Sequence, residues 1–154
     1  MGEHPPAALT LRTRAHQADL YAQYAGGNRA VVLDALADDV TWTSVAAPGI
    51  QGSIPWAGTH RGRAGVEAYF AGIDGAVRIT GYAVERVIAE GEWVTVLARA
   101  RAQVLATGAE IEIAKVDVLQ LCDGRIQSFA EHYDTAAVLD ALRAPAAAAV
   151  RVQQ

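Results

Sequence analysis

The chain has 154 residues, a net charge of −4 and a single cysteine, and these numbers exclude several classes of protein. A chain of this length forms one domain that can bury a core without crosslinks, and one cysteine cannot build a disulfide framework. The scattered arginines form no basic stripe, so nucleic acid is not an expected partner. No apolar run approaches the roughly 20 residues of a membrane span, and no signal-peptide pattern opens the chain. We expect one soluble, cytoplasmic domain over residues 1–154, with a core over about 8–143 and a frayed tail over 144–154.

The first third of the chain has helical spacing. Apolar residues recur every three to four positions over about residues 7–25, and Gly26-Gly27 is expected to end this helix. Asn28 is expected to cap a short second helix that carries Val31, Val32, Ala35 and Leu36. The β-rich run over residues 40–45 predicts a strand, and the glycines and prolines over 46–59 predict a loop.

A third helix is predicted by Val66, Tyr69, Phe70 and Ile73, which have the i, i+3, i+4, i+7 spacing of a buried helix face. After it, four strands are predicted near residues 77–89, 92–106, 109–121 and 125–133, with a glycine in each turn between them. Strands joined by such short turns are antiparallel. Asp134 is expected to cap a last short helix, so the order of elements predicts an α+β fold with helices on one sheet face.

Lys115 is the one lysine among thirteen basic residues, and it lies in the middle of the third of these four strands. With a period of two, one face of that strand consists of Ile111, Ile113, Lys115, Asp117, Leu119 and Leu121. A buried charge is costly unless it is paired, so a cation and an anion in an apolar stripe predict a cavity wall with a polar floor. A structural ion pair without chemistry is the alternative interpretation.

The preceding strand supports a cavity on the same face. Its apolar side consists of Val94, Val96, Ala98, Ala100, Ala102 and Val104. Small residues on an inward face leave room between the sheet and the helices. Close packing of a helix against these residues is the alternative.

Three stretches of sequence carry more specific information. They read ADDVTW at residues 37–42, PWAGTHRG and VEAYF within 55–70, and DGRI and FAEHYDTAA within 123–137. Together with the order of elements, they resemble the SnoaL-like group of the nuclear transport factor 2-like superfamily. The resemblance implies a cone-like fold, in which a strongly curved, mostly antiparallel sheet wraps around helices and a deep apolar pocket. The superfamily includes ketosteroid isomerase, limonene-1,2-epoxide hydrolase, polyketide cyclases and plain binding modules, so the fold does not select an activity.

The resemblance to ketosteroid isomerase implies positions for its catalytic groups. The position of its base falls on Ser44, so that base is missing here. The position of its oxyanion-binding tyrosine falls on Leu20, beside Tyr21. Its second oxyanion donor, an aspartic acid kept protonated by an apolar site, falls on Asp117.

The epoxide hydrolases of this fold use an Asp-Arg-Asp arrangement to activate water and to protonate the epoxide. The aspartate of their last strand matches Glu131, whereas their Arg-x-Asp pair falls near Ala98 and Ala100. A Lys115-x-Asp117 pair one strand over would imitate that pair geometrically. This substitution is an inference from the present sequence and not a family motif.

These arguments place Lys115, Asp117 and Glu131 on one pocket floor, beside Tyr133. Two nearby carboxyl groups push their pKa values apart, which provides an acid and a base at neutral pH. We expect Asp117 and Glu131 to form this pair and Lys115 to hold one of them ionised. If the register of the last strand is slipped by one residue, His132 and Asp134 form the pair instead.

The predicted substrate pocket is lined by Tyr24, Trp42, Ser44, Trp56, Tyr69, Phe70 and Phe129; simple core packing is the alternative for the aromatic residues. We expect an acid/base enzyme without cofactor or metal that acts on a hydrophobic small molecule, by proton abstraction next to a carbonyl as in SnoaL-like cyclases. Epoxide hydrolysis and binding without turnover are the alternatives. The other face of the lysine strand mixes small apolar and polar side chains, which, with the family resemblance, predicts a homodimer through the outer face of the sheet.

Overall fold

A computed structural model describes residues 3–145, so most of the expected tail over 144–154 lies outside the described residues. The elements in chain order are α1 (Ala7–Ala25), α2 (Ala30–Asp34), β1 (Leu36–Ser44), β2 (Gly58–Arg61), α3 (Gly62–Ala76), β3 (Val77–Glu90), β4 (Trp93–Val104), β5 (Glu110–Cys122), β6 (Arg125–Tyr133) and α4 (Thr135–Arg143). A short 3-10 turn over Gln51–Ser53 interrupts the loop before β2. No helix within residues 3–145 is long and apolar enough to span a bilayer.

The sheet has six strands in the order β2-β1-β6-β5-β4-β3. Neighbouring strands are antiparallel except for β1 and β6, which run parallel. Register shifts in β3, between Ile79 and Gly81 and between Val84 and Arg86, locally bend this edge strand. The α+β architecture predicted from the sequence is confirmed.

The prediction of the helices is confirmed for α1, α3 and α4, but three details near the first strand are wrong. Asn28 does not cap α2: its amide donates to the Gln23 side chain at 3.2 Å, which ties it to the end of α1, and the capping position is Arg29. β1 begins at Leu36, earlier than predicted, because Leu36 pairs with Ile126 of β6. The predicted loop also contains β2, whose four residues form an edge strand on β1.

Side chains from the inner face of the sheet, α1 and α3 form the core. The four predicted anchors of α3 are all buried, and the small residues of β4 face inward as predicted. Ala100 and Ala102 leave space above the sheet, and both line a cavity there. The predicted cavity is therefore present.

The loop before β2 packs tightly on α3. A side chain at Gly72 would place its Cβ 2.7 Å from the Pro55 carbonyl oxygen, so α3 approaches this loop at a glycine. The close approach holds the neighbouring Trp56 against the core, where it forms part of the cavity wall.

Candidate functional site

The pairing of β5 with β6 brings three charged side chains together on the inner face of the sheet. Asp117 lies opposite Glu131, and Lys115 lies opposite Tyr133. The Lys115 Nζ is 2.7 Å from Glu131 Oε2 and 3.2 Å from Asp117 Oδ1. All three charged residues are buried, with exposed fractions of 9%, 1% and 3% for Lys115, Asp117 and Glu131. One ammonium thus bridges two buried carboxyl groups.

Each carboxyl group also accepts a hydrogen bond from a helix tyrosine. The Tyr21 hydroxyl of α1 donates to Asp117 Oδ2 at 2.8 Å, and the Tyr69 hydroxyl of α3 donates to Glu131 Oε1 at 2.8 Å. The two helices that cover the sheet therefore fix the orientation of both carboxyl groups. Tyr69 was predicted only as a lining residue.

Tyr21 is a site residue that the sequence argument missed. The resemblance placed the isomerase's oxyanion tyrosine on Leu20, one residue earlier. In the structure both residues are buried, but it is Tyr21 that reaches Asp117. The available signal was a tyrosine directly after the aligned position.

Burial and pairing shift the pKa values of the cluster in a consistent way. Burial raises the pKa of Asp117 above its usual value, and Glu131 adds to this, although Lys115 and the Tyr21 hydrogen bond oppose it. Burial alone would lower the pKa of Lys115, but the charges of Asp117 and Glu131 outweigh it and raise that pKa well above its usual value. Burial also raises the pKa values of Tyr21 and Tyr69. The ammonium and both phenols are therefore protonated at neutral pH.

The raised pKa of Asp117 predicts a pH-dependent stability difference between the wild type and Asp117→Asn. A carboxyl group whose pKa is raised in the folded state stabilises the protein below its unfolded pKa, and this contribution is lost as the pH rises through the folded value. The free energy of unfolding of the wild type should therefore fall relative to that of Asp117→Asn as the pH rises above the ordinary carboxyl range. Urea titrations of both proteins at a series of pH values measure the difference. A difference that is constant with pH would contradict the raised pKa.

Two cavities meet at this cluster. The larger cavity has about 60 Å³ that the centre of a water molecule can occupy, and Glu131 and Tyr133 line it. The smaller cavity has about 30 Å³ of such space, and Asp117 and Tyr21 line it. Their walls are otherwise mainly apolar. The residues that line both cavities are Tyr24, Tyr69, Tyr82 and Lys115. Glu131 therefore faces the larger cavity and Asp117 the smaller one.

The structure brings most of the predicted lining residues to these cavities. The larger is lined by Tyr24, Trp56, Tyr69 and Tyr133, and the smaller by Tyr24, Trp42, Tyr69, Phe70 and Phe129. Ser44 lines neither. Its hydroxyl is buried against the Tyr133 hydroxyl, at 3.0 Å.

His132 does not belong to the site. It lies opposite Val116 in the β5–β6 pair, and its side chain is exposed on the outer face of the sheet. The reason is strand alternation: because Glu131 points inward, its neighbour points outward. The slipped register is therefore wrong, and Asp134 instead caps α4 by accepting a hydrogen bond from the Ala137 backbone N–H at 3.0 Å.

A carboxyl group lies next to the position that the resemblance gives to the isomerase's base. Ser44, at the aligned position, is the direct neighbour of Glu131 across the parallel pair of β1 and β6. A carboxylate is thus present one strand away from the expected place. Within residues 3–145 no group of three or more His, Cys, Asp or Glu side chains is arranged to hold a metal ion.

Comparison with protein families agrees with this geometry. The family model of the SnoaL-like domain matches residues 18–129, which carry the whole Lys115–Asp117 strand and most of the sheet. The chain belongs to the SnoaL-like domain family. No curated protein sequence matches it.

Several solved structures are similar to this member of the SnoaL-like family. A nuclear transport factor 2-like protein from Burkholderia xenovorans is 27% identical, with a TM-score of 0.71, over 86% of this chain and 97% of its own. A proposed SnoaL-like polyketide cyclase from Mesorhizobium loti is 17% identical, with a TM-score of 0.65, over 77% and 97%. A protein with a ketosteroid isomerase-like fold from Catenulispora acidiphila, in complex with trimethylamine, is 17% identical, with a TM-score of 0.66, over 84% and 93%. These similarities confirm the fold expected from the sequence.

Proposed function

We propose that this SnoaL-like protein is an acid/base enzyme that moves a proton at a carbon next to the carbonyl group of a hydrophobic small molecule. The observation that carries the proposal is the unequal sharing of one buried ammonium between two carboxyl groups at the wall of an apolar cavity. Lys115 lies closer to Glu131 than to Asp117, at 2.7 Å and 3.2 Å. The two carboxyl groups therefore have different environments, as an acid and a base require.

Glu131 is assigned as the general base. It has the shorter contact with the Lys115 ammonium, at 2.7 Å, and it also accepts a hydrogen bond from the Tyr69 hydroxyl. Glu131 also faces the larger cavity, where the body of a substrate has most room. An ionised carboxylate in an apolar cavity is poorly hydrated and is available to accept a proton.

Asp117 is assigned as the proton donor. If both carboxyl groups were ionised, the buried cluster would carry a net negative charge, which burial disfavours. Burial raises the pKa of Asp117, so this is the group assigned to hold the additional proton. Its contact with Tyr21 places a second O–H group next to it, and that phenol polarises and orients the acid.

In the proposed reaction, Glu131 removes the proton from the carbon next to the carbonyl group. The electron pair of the broken C–H bond moves to form the C=C bond of an enol, and the carbonyl oxygen takes the proton of Asp117. Glu131 is then the neutral acid and Asp117 the carboxylate. Return of a proton from Glu131 to another carbon, with recovery of the enol proton by Asp117, completes an isomerisation. In ring closure the enol carbon instead attacks a second carbonyl group of the same molecule, the oxygen of that group takes the proton of Glu131, and Asp117 recovers the enol proton.

A second candidate is epoxide hydrolysis, and one observation favours it. The carboxylate–cation–carboxylate arrangement of Asp117, Lys115 and Glu131 is the charge pattern that the resemblance associates with the epoxide hydrolases of this fold, with lysine in place of arginine. In this reaction Glu131 removes a proton from water, the resulting hydroxide attacks an epoxide carbon, and Asp117 protonates the oxygen that leaves it. The same two side chains keep the same roles.

A panel of compact cyclic ketones and epoxides distinguishes the two reactions. Ketones incubated with the protein in D₂O should exchange their α-protons faster than in buffer, as measured by NMR. Epoxides incubated in H₂¹⁸O should yield labelled diols only if the second reaction operates. Ligands that bind, as shown by shifts in protein NMR signals, without exchange or hydrolysis would overturn both reactions and indicate a binding module.

We also propose a homodimer through the outer face of the sheet. Ile88, Trp93 and Val116 are exposed by 50%, 53% and 36%, and all three lie on β3, β4 and β5. Val116→Arg should shift the protein toward monomer in analytical ultracentrifugation at high micromolar concentration, because it replaces an apolar side chain of this mixed face with a long charged one. Leu11→Arg, at an exposed position of α1, is the matched control. A monomeric wild type would contradict the proposal.

A further inference from the structure

Tyr82 of β3 has a buried hydroxyl group without a hydrogen-bond partner in the described part of the chain. Burial raises the pKa of this phenol, so it remains protonated and able to donate. A buried donor without a partner is costly, and such groups in folded proteins usually have an explanation in function or bound solvent. Tyr82 was not singled out by its sequence position.

The position of Tyr82 explains what this hydroxyl can contact. Tyr82 and Tyr24 line the larger cavity, the smaller cavity and also a groove on the protein surface. Their rings meet edge to face, with centroids 5.1 Å apart. The Lys115 ammonium lies 5.7 Å from the centroid of the Tyr82 ring. Tyr82 thus lies where the two cavities and the surface groove adjoin one another.

The groove next to this pair lies between the end of α1 and an irregular part of β3. On one side lie Gly26 and Gly27, directly after α1, and on the other lies the part of β3 around Thr80. The strand is shifted in register there, between Ile79 and Gly81, and β3 is an edge strand. The groove and the larger cavity share Tyr24, Ile79 and Tyr82 in their walls, so they adjoin at the Tyr24–Tyr82 pair.

The other hydroxyl and ammonium groups of the cluster are already engaged. Tyr21 and Tyr69 donate to the carboxyl groups, Tyr133 is bonded to Ser44, and Lys115 is shared by Asp117 and Glu131. The indole N–H of Trp42 is also without a partner, but Trp42 lines only the smaller cavity. Tyr24 lines the same cavities and groove as Tyr82, but of the two it is Tyr82 whose hydroxyl is buried without a partner. Among the buried donors without a partner in residues 3–145, Tyr82 is therefore the one that lines both cavities and the groove.

We propose that the Tyr82 hydroxyl binds the ligand by donating a hydrogen bond to a carbonyl or ether oxygen, and that ligands enter past the Tyr24–Tyr82 pair. The substrate class is then a compact apolar molecule that carries an oxygen acceptor near one end. This inference names the ligand class of the proposed enzyme, and it rests on the proposed function in treating the bound ligand as a substrate. The hydrogen bond itself does not depend on turnover.

Cyclohexanone and methylenecyclohexane test the proposal, since they have similar shapes and differ in the oxygen acceptor. Their dissociation constants are measured by NMR titration for the wild type and Tyr82→Phe. The substitution should weaken cyclohexanone binding about tenfold, which corresponds to about 1.4 kcal/mol for a lost hydrogen bond, and should leave methylenecyclohexane binding unchanged or slightly stronger. The infrared C=O stretch of bound cyclohexanone should move to higher frequency in the variant.

Stability provides an independent readout. Removal of a buried, unpartnered hydroxyl should leave the melting temperature of Tyr82→Phe equal to or above that of the wild type. If the hydroxyl instead serves a structural water, the variant should be less stable. Equal cyclohexanone affinities and equal carbonyl frequencies in the two proteins, or a loss of stability in the variant, would overturn the proposal. Loss of proton exchange with retained Tyr82-dependent binding would overturn only the proposed reaction.

Discussion

Glu131→Gln is expected to lower the rate of α-proton exchange by about 10²-fold or more, because a positioned general base contributes about 10² to 10⁴. The amide keeps the shape of the side chain and its contact with the Tyr69 hydroxyl, but it cannot take up the proton. Ketone binding should change much less than the exchange rate. NMR in D₂O measures both the exchange and the ketone affinity on the same sample.

Glu67→Gln is the matched control for this variant. Glu67 lies on the exposed side of α3 and is paired with Arg63 at 3.2 Å, away from both cavities. This variant changes the formal charge by the same amount and should retain the wild-type exchange rate. Full activity in Glu131→Gln would show that the buried cluster is structural and that the base lies elsewhere.

Lys115→Met is expected to lower the free energy of unfolding by about 3–5 kcal/mol near pH 8, the usual cost of leaving a buried charge without its partner. An apolar isostere is often tolerated where a buried pair is replaced as a whole. Here the lysine contacts two carboxyl groups, and its removal leaves both of them in an apolar environment. Urea denaturation at several pH values measures the loss.

The pH dependence of this loss follows from the carboxyl groups. Burial raises the pKa of Asp117 in the folded state above the unfolded value of about 4, and the Lys115 ammonium opposes this shift, so its removal raises the pKa of Asp117 further. A carboxyl group whose pKa is raised in the folded state stabilises the fold below its unfolded pKa. That contribution is lost as the pH rises through its folded pKa. The variant should therefore approach or exceed wild-type stability below about pH 4. Adding Glu131→Gln should recover part of the loss near pH 8, and a loss independent of pH would contradict this account.

The part of the site that lies on β5 and β6 was predictable from the sequence because strand alternation is strict. Once Ile111 and Leu121 are assigned to the core, Lys115 and Asp117 must share their face. The antiparallel hairpin then leaves only the register open, and the direction of Glu131 follows from it. The structure confirms that these three side chains converge, while their catalytic roles stay predictions.

The contributions of α1 and β3 to the site, and the pairing of β1 with β6, could not be predicted from strand alternation. Helical periodicity places Leu20 and Tyr21 both near a buried face, so it does not decide which one reaches Asp117. Tyr82 lies close to two register shifts in β3, where alternation no longer gives the direction of a side chain. The pairing of β1 with β6 depends on segments far apart in sequence, for which no local pattern exists.

The sequence separations within the buried cluster have a consequence for how the protein folds. Lys115 and Glu131 are 16 residues apart, whereas the tyrosine contacts that cover them join residues 62 and 96 positions apart. Closing a short loop costs less chain entropy than closing a long one, so the β5–β6 hairpin is the cheaper contact to form. The ammonium and carboxyl groups can then pair while still hydrated and lose their water when α1 and α3 dock. Substitutions in the hairpin should therefore slow folding, and those of the tyrosines should mainly speed unfolding.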